Sequence, residues 1–234
     1  MRKPRVIIYA VIIGCYDSVP KVNPDANVEY YLFTDKLEIP ASSMWNKCLL
    51  ANPSDLNSRR LSRLPKLRPH FYLPPHDVSI YIDANLTLHR PIRDFALTCV
   101  RELSLAVHPH PGRTCLYEEA RQCIRLRLDD EFLINEQTSR YQREGLPPNF
   151  GLCENSFMVR RNTKEVNKFN DFWHDEYHAG SQRDQLSFMY CLWRSRLHPY
   201  LIWQNPRKNS YFKREKHLSN YQSNNDFQTA IKTA

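Results

Sequence analysis

Glycine is scarce in this chain. Among 234 residues there are five, at positions 14, 112, 145, 151 and 180, no two closer than six residues apart. A loop that cradles phosphate needs clustered glycines so that backbone can approach the anion, so neither a P-loop nor a G-x-G-x-x-G dinucleotide fingerprint is present. Any nucleotide must be held by side chains or by a metal. Paired cysteine motifs are missing too: the seven cysteines are scattered, with no C-x-x-C and no even framework of the kind small secreted domains use, which predicts reduced thiols. No apolar run approaches the ~20 residues of a membrane span. The run from Val6 to Ile13 stops at Gly14-Cys15-Tyr16-Asp17 without a small-residue cleavage site, so it reads as a core strand rather than a signal peptide. The expected location is the cytoplasm. H-E-x-x-H and G-x-S-x-G are absent, which leaves zincin and nucleophile-elbow hydrolase readings without their motifs.

What is present describes a globular protein. Hydrophobic residues make up 41% and charged residues 25%, which excludes disorder, and the length suits one large core. A net charge of +8 favours phosphate-bearing or polyanionic partners. Val6–Ile13 reads as a strand buried on both faces, Glu29 to Thr34 as a second that ends at Asp35, and Val78 to Ile82 as a third that ends at Asp83. Further strands are expected at 104–107 and 156–159, a polar helix at about 115–131, and helices at 165–177 and 184–193. This is an α/β pattern, a mixed and mostly parallel central sheet flanked by helices. Ligands of open α/β sheets gather at the carboxyl ends of the strands, where Asp35 and Asp83 fall.

Several clusters could carry chemistry. Asp83 and Asn85 end a strand at i and i+2, so their oxygens can meet one hard divalent cation; an Asx turn explains the same residues without a metal. The segment 56–76 contains Arg59, Arg60, Arg63, Lys66, Arg68, His70 and His76 but no acidic residue. Arg60, Arg63 and Lys66 would align on a helix into a cationic stripe able to grip a diphosphate, although Pro65 and Pro69 disfavour a regular helix and a solvated basic face fits equally. Ser181 and Asp184 match a capping box at the start of a helix, leaving Arg183 and Gln185 unexplained. His108 and His110 read as surface imidazoles in a proline-rich loop more readily than as metal ligands. Residues 205–234 are polar and basic, the pattern of a tail packed on or extending from a domain spanning 1–204.

The order of these pieces resembles a GT-A type glycosyltransferase. More narrowly, it is similar to the glycosyltransferase-like family first described as a domain of unknown function, with plant mucilage-related, bacterial and viral members. The resemblance rests on Arg63-Leu64-Pro65-Lys66 with His70, on Ser79-Ile80-Tyr81-Ile82-Asp83, on Gly151-Leu152-Cys153-Glu154, and on Ser181 to Phe188. It implies a single GT-A-like domain and a metal-assisted enzyme that moves a hexosyl or related sugar from a nucleotide-diphosphate sugar to an acceptor hydroxyl. The acceptor could be a carbohydrate, a glycoprotein or a nucleic acid. The resemblance implies that Asp35 lies near the donor base, that Arg63, Lys66 and a Mn²⁺ or Mg²⁺ on Asp83 and Asn85 hold the diphosphate, with Arg60 in the same stripe, and that Glu154, Asp184 and Gln185 surround the sugar. Asn85 stands where many such enzymes have a second Asp, and His198 or His217 could complete the metal shell. For an inverting reaction Asp184 or Glu154 would be the base. Asp83→Ala and Lys66→Ala are then expected to abolish turnover with the fold intact. The alternative is a nucleic-acid-binding module, suggested by the charge and by Tyr211-Phe212-Lys213-Arg214.

Overall fold

The computed structural model describes residues 2–35, 43–52 and 54–217. A seven-stranded mixed sheet runs in the order β3-β2-β1-β4-β7-β6-β8. Its strands are β1 (Val6–Ile12), β2 (Val28–Thr34), β3 (Asn46–Leu49), β4 (Val78–Ile82), β6 (Leu105–Pro109), β7 (Cys153–Arg161) and β8 (Tyr200–Leu201). β5 (Leu86–Leu88) and β9 (Phe212–Arg214) form a separate two-stranded ribbon. β1, β2, β3 and β4 are mutually parallel, whereas β7 runs antiparallel to both β4 and β6. The chain is a single α/β domain.

Alternation along β1 explains why it is apolar throughout. Ile7, Tyr9 and Val11 face one core, and Val6, Ile8, Ala10 and Ile12 face the other. The first core is covered by α1 (Ser58–Leu67), α4 (Leu116–Arg125), α5 (Glu131–Arg143), α6 (Lys164–Ala179) and α7 (Asp184–Ser195). The second lies under α3 (Arg93–Cys99) and the ribbon, with Phe212 fully buried against Phe157. A short α2 (Pro69–Tyr72) links α1 to β4.

Two local differences from the sequence expectation have physical causes. The helix expected over 115–131 is two helices: Arg127 adopts a left-handed φ of 50°, and the Asp130 side chain caps α5 by accepting from the Leu133 amide at 2.9 Å. α1 accommodates Pro65 because Asn57 caps it, accepting from the Arg60 amide at 2.9 Å, and because Leu61 and Leu67 bury one face. The part of the tail at 205–217 is packed on the domain, while 218–234 lies outside the described residues. Among the described residues no helix is long and apolar enough to cross a membrane. All seven cysteines are free.

Candidate functional site

The parallel strands β1, β2 and β4 deliver their carboxyl ends to one edge of the sheet, and antiparallel β7 begins at that edge. A cleft of about 820 Å³ opens there, large enough for a nucleotide-sized ligand. Basic groups outnumber acidic ones along its wall: Arg59, Arg63, Lys66, Arg113, Arg183, Arg207 and Arg214 against Asp83, Glu119, Glu154 and Asp184. That balance attracts an anion.

At the centre is a buried ion cluster. Lys66 is 2% exposed, and its Nζ lies 2.6 Å from Asp184 Oδ2 and 3.9 Å from Asp83 Oδ1. Arg63 Nε approaches Asp184 Oδ2 at 3.6 Å. Burial by itself would raise the Asp184 pKa, but the Lys66 and Arg63 charges hold it well below the usual carboxylate range. Burial likewise opposes the Arg63 charge, and Asp184 outweighs it, so the guanidinium stays firmly protonated. The cluster rests on Arg160, a fully buried arginine on β7 that donates to the Lys66 carbonyl at 2.7 Å, to Asn170 at 2.9 Å and to the Tyr9 hydroxyl. Tyr81, two residues before Asp83, donates its hydroxyl to Asp83 Oδ1 at 2.8 Å, and its ring centroid lies 4.8 Å from Lys66 Nζ.

These contacts revise two expectations. The cationic stripe is not a solvated face: Lys66 and Arg63 turn inward, while Arg60 turns aside, and its guanidinium donates to the carbonyls of Tyr177, His178 and Gly180 at the end of α6. Nor do Ser181 and Asp184 form a capping box. Arg183 occupies the N-cap of α7 without a side-chain bond, Ser181 donates to Asp129 Oδ2 at 2.7 Å, and Asp184 is engaged with Lys66. The pull of a buried ammonium replaces the backbone amide that a cap would serve.

The rest of the site comes from other elements. Glu154 opens β7, and burial raises its pKa, with Arg214 Nη1 at 3.8 Å giving partial compensation. Gln185 donates to the Cys153 carbonyl at 3.0 Å and braces that strand start. Arg183 Nε is buried without a hydrogen-bond partner among the described residues. Asp35 lies outside the cleft lining and accepts from the Gly14 amide at 3.0 and 3.1 Å. Gly14 turns there with a φ of +74°, a conformation that suits glycine. His108 is buried between Phe157 and Phe212, its Nδ1 meeting the Gln204 carbonyl at 3.0 Å, and His110 accepts from the Gly112 and Arg113 amides, so the two imidazoles do not form a pair. Phe212 belongs to the core and Tyr211 stacks on Phe95, which leaves neither ring free to stack on a base.

Among the described residues no group of three His, Cys, Asp or Glu side chains could enclose a metal. Asn85, expected as a metal ligand, is not part of the cleft lining: its Oδ1 is buried without a partner among the described residues, and its Nδ2 donates to the Glu215 carbonyl at 3.1 Å and lies 3.3 Å from His217 Nε2. His217 Nδ1 meets Asp17 Oδ2 at 2.8 Å, which orients the ring and turns its Nε2 to accept from Asn85 Nδ2. His217 and Asp83 line the same cleft. Of these, Asp17, Tyr81 and Arg160 carry no role assigned from the sequence alone, whereas His217 is expected as a candidate metal ligand. Tyr81 was legible from its i, i+2 spacing to Asp83; the others become neighbours only through the fold.

Residues 26–217 match the TOD1/MUCI70 glycosyltransferase-like domain. The chain belongs to that family. The matched span takes in α1, β4, β7 and α7, which carry the ion cluster, and ends at His217; β1 precedes it. No curated protein matches the chain significantly.

Proposed function

We propose that this member of the TOD1/MUCI70 family transfers a sugar from a nucleoside-diphosphate sugar to an acceptor hydroxyl. The observation that carries the reading is the Lys66–Asp184–Arg63 cluster beside Asp83, at the sheet edge where an α/β fold binds ligands. Lys66 and Arg63 are balanced by Asp184 and Asp83, and the surplus of positive charge that would meet the departing diphosphate comes from the other basic residues of the cleft wall, Arg59, Arg113, Arg183, Arg207 and Arg214, against Glu119 and Glu154. Being buried and braced, the cluster needs no reorganisation as negative charge develops on the leaving group. Arg183 adds a donor whose Nε has no partner among the described residues.

Asp83 and His217, which line the cleft, would hold a Mn²⁺ or Mg²⁺ ion, the imidazole being oriented by Asp17. When bound, such an ion supplies Lewis-acid neutralisation of the diphosphate. Glu154 serves as the acceptor-side base. A carboxyl whose pKa is raised by burial accepts a proton near neutrality far better than Asp184, whose basicity is quenched by Lys66. Asp184 then positions Lys66 and Arg63, and Gln185 holds the Glu154 strand in place.

Thermal-shift titration with nucleoside diphosphates, with and without Mn²⁺, tests the reading. Stabilisation that requires both is expected. No stabilisation by any nucleoside diphosphate in either condition would overturn it.

A further inference from the structure

A second cavity, of about 700 Å³, adjoins the cleft. Its floor is aliphatic, built from Leu152, Met189, Leu192, Leu197 and Leu201. At its rim Trp203 is 80% exposed and Phe150 is 40% exposed. Large apolar side chains left in water around a concavity mark a binding surface. The cavity and the cleft share two lining residues, His110 and Arg113. The first two residues of β7 divide them: Cys153 borders the second cavity and Glu154 the cleft, as successive strand residues point to opposite sides. The Gln185 amide on the Cys153 carbonyl fixes that partition at 3.0 Å. A molecule seated in the second cavity and reaching past His110 and Arg113 would enter the cleft that Glu154 lines.

We propose that this cavity is the acceptor subsite and that it grips the acceptor by an apolar group, an alkyl or aryl aglycone, rather than by a sugar ring. A pyranose carries hydroxyls around its whole edge, and each buried hydroxyl needs a partner. The side chains of the floor carry no nitrogen or oxygen, while Arg113, Thr114, His198, Gln204 and Asn205 stand elsewhere in the lining, where a polar head would be met. The inference rests on the transferase reading for the word acceptor, and on the cavity alone for the apolar preference.

The test is calorimetric titration of the full chain with n-alkyl β-glucosides from methyl to octyl, each below its micelle concentration, and with phenyl glucoside. Affinity is expected to rise about four-fold per added methylene. The phenyl arm separates aryl from alkyl recognition. Trp203→Ala should weaken octyl glucoside roughly ten-fold, and Phe150→Ala provides a second exposed site should the first disturb folding; both should keep the nucleotide thermal shift. A flat chain-length series, or methyl glucoside binding as well as octyl, overturns the proposal while a preserved nucleotide response leaves the transferase reading standing. A steep series with no nucleotide response sinks the transferase reading and the acceptor role with it.

Discussion

Asp184 and Glu154 look into one cleft, and although burial favours the neutral form of both, their pKa values move in opposite directions. Asp184, at the start of α7, has an ammonium at 2.6 Å and a guanidinium at 3.6 Å, and its pKa is driven down. Glu154, at the start of β7, has its nearest paired cation at 3.8 Å, and burial pushes its pKa up. Depth does not decide the charge state; the approach of the counter-ion does. One side of the cleft is thereby a fixed electrostatic scaffold, and the other keeps a group able to exchange a proton.

The largest test removes the scaffold's centre. The sequence predicts that Lys66 can be truncated with the fold intact, but at 2% exposure its removal takes from the buried Asp184 its partner at 2.6 Å and leaves Arg63 at 3.6 Å as the remaining ion pair among the described residues. Lys66→Met should cost about 3 kcal/mol in urea unfolding, as for other broken buried pairs. The double variant Lys66→Met/Asp184→Asn should recover most of that stability and still show no nucleotide-dependent thermal shift. Recovery of the nucleotide response in the double variant would mean that the cluster is purely structural.

Asp83→Ala comes next. Its carboxylate is 28% exposed and is held by the Tyr81 hydroxyl, so unfolding should shift by less than about 1 kcal/mol. Turnover should nevertheless fall by roughly 100-fold or more, and the Mn²⁺ dependence of nucleotide binding should vanish.

The proton-exchanging side is tested by pH. A folded pKa that is depressed, as for Asp184, stabilises above the ordinary carboxylate pKa of about 3.9, and that stability is lost as pH falls through the folded value. A raised folded pKa works the other way: the Glu154 contribution is complete below the ordinary Glu value of about 4.3 and is lost as pH rises through the folded value. Glu154→Gln should therefore unfold later than the parent at pH 7, with the difference disappearing below about pH 4. Its turnover should fall about 100-fold or more and lose the acid limb of the pH–rate profile. An unchanged acid limb would remove Glu154 from the role of base.

The legible and illegible parts of the molecule divide on the same physical line. β1, β4, α6 and α7 were readable because continuous apolar runs and helical aromatic spacing are local patterns, and the structure places them within a few residues of expectation. β3, β5, β8 and β9 were not: each has four residues or fewer, and they exist because a neighbour pairs with them. At the candidate site, residue types were readable but directions were not. Asp184 fits a helix cap by spacing, and only the arrival of Lys66 from α1 reveals what it binds. His217 reaches Asn85 and Asp17 across gaps of 132 and 200 residues, which no spacing rule spans.

Direction also separates Arg60 from Arg63, which the sequence places on one stripe and the structure sends to different tasks. The Arg60 guanidinium donates to three carbonyls at the carboxyl end of α6, between 3.1 and 3.4 Å, where a cation also complements the helix dipole. Arg63 is held against Asp184 within the cleft. Arg60→Ala should then cost about 1–2 kcal/mol of stability and leave nucleoside-diphosphate affinity unchanged. Arg63→Ala should weaken that affinity at least ten-fold. Because the two residues are three apart on one helix, non-specific loss of positive charge would affect both alike, and equal losses of affinity would show that the cleft senses only its net charge.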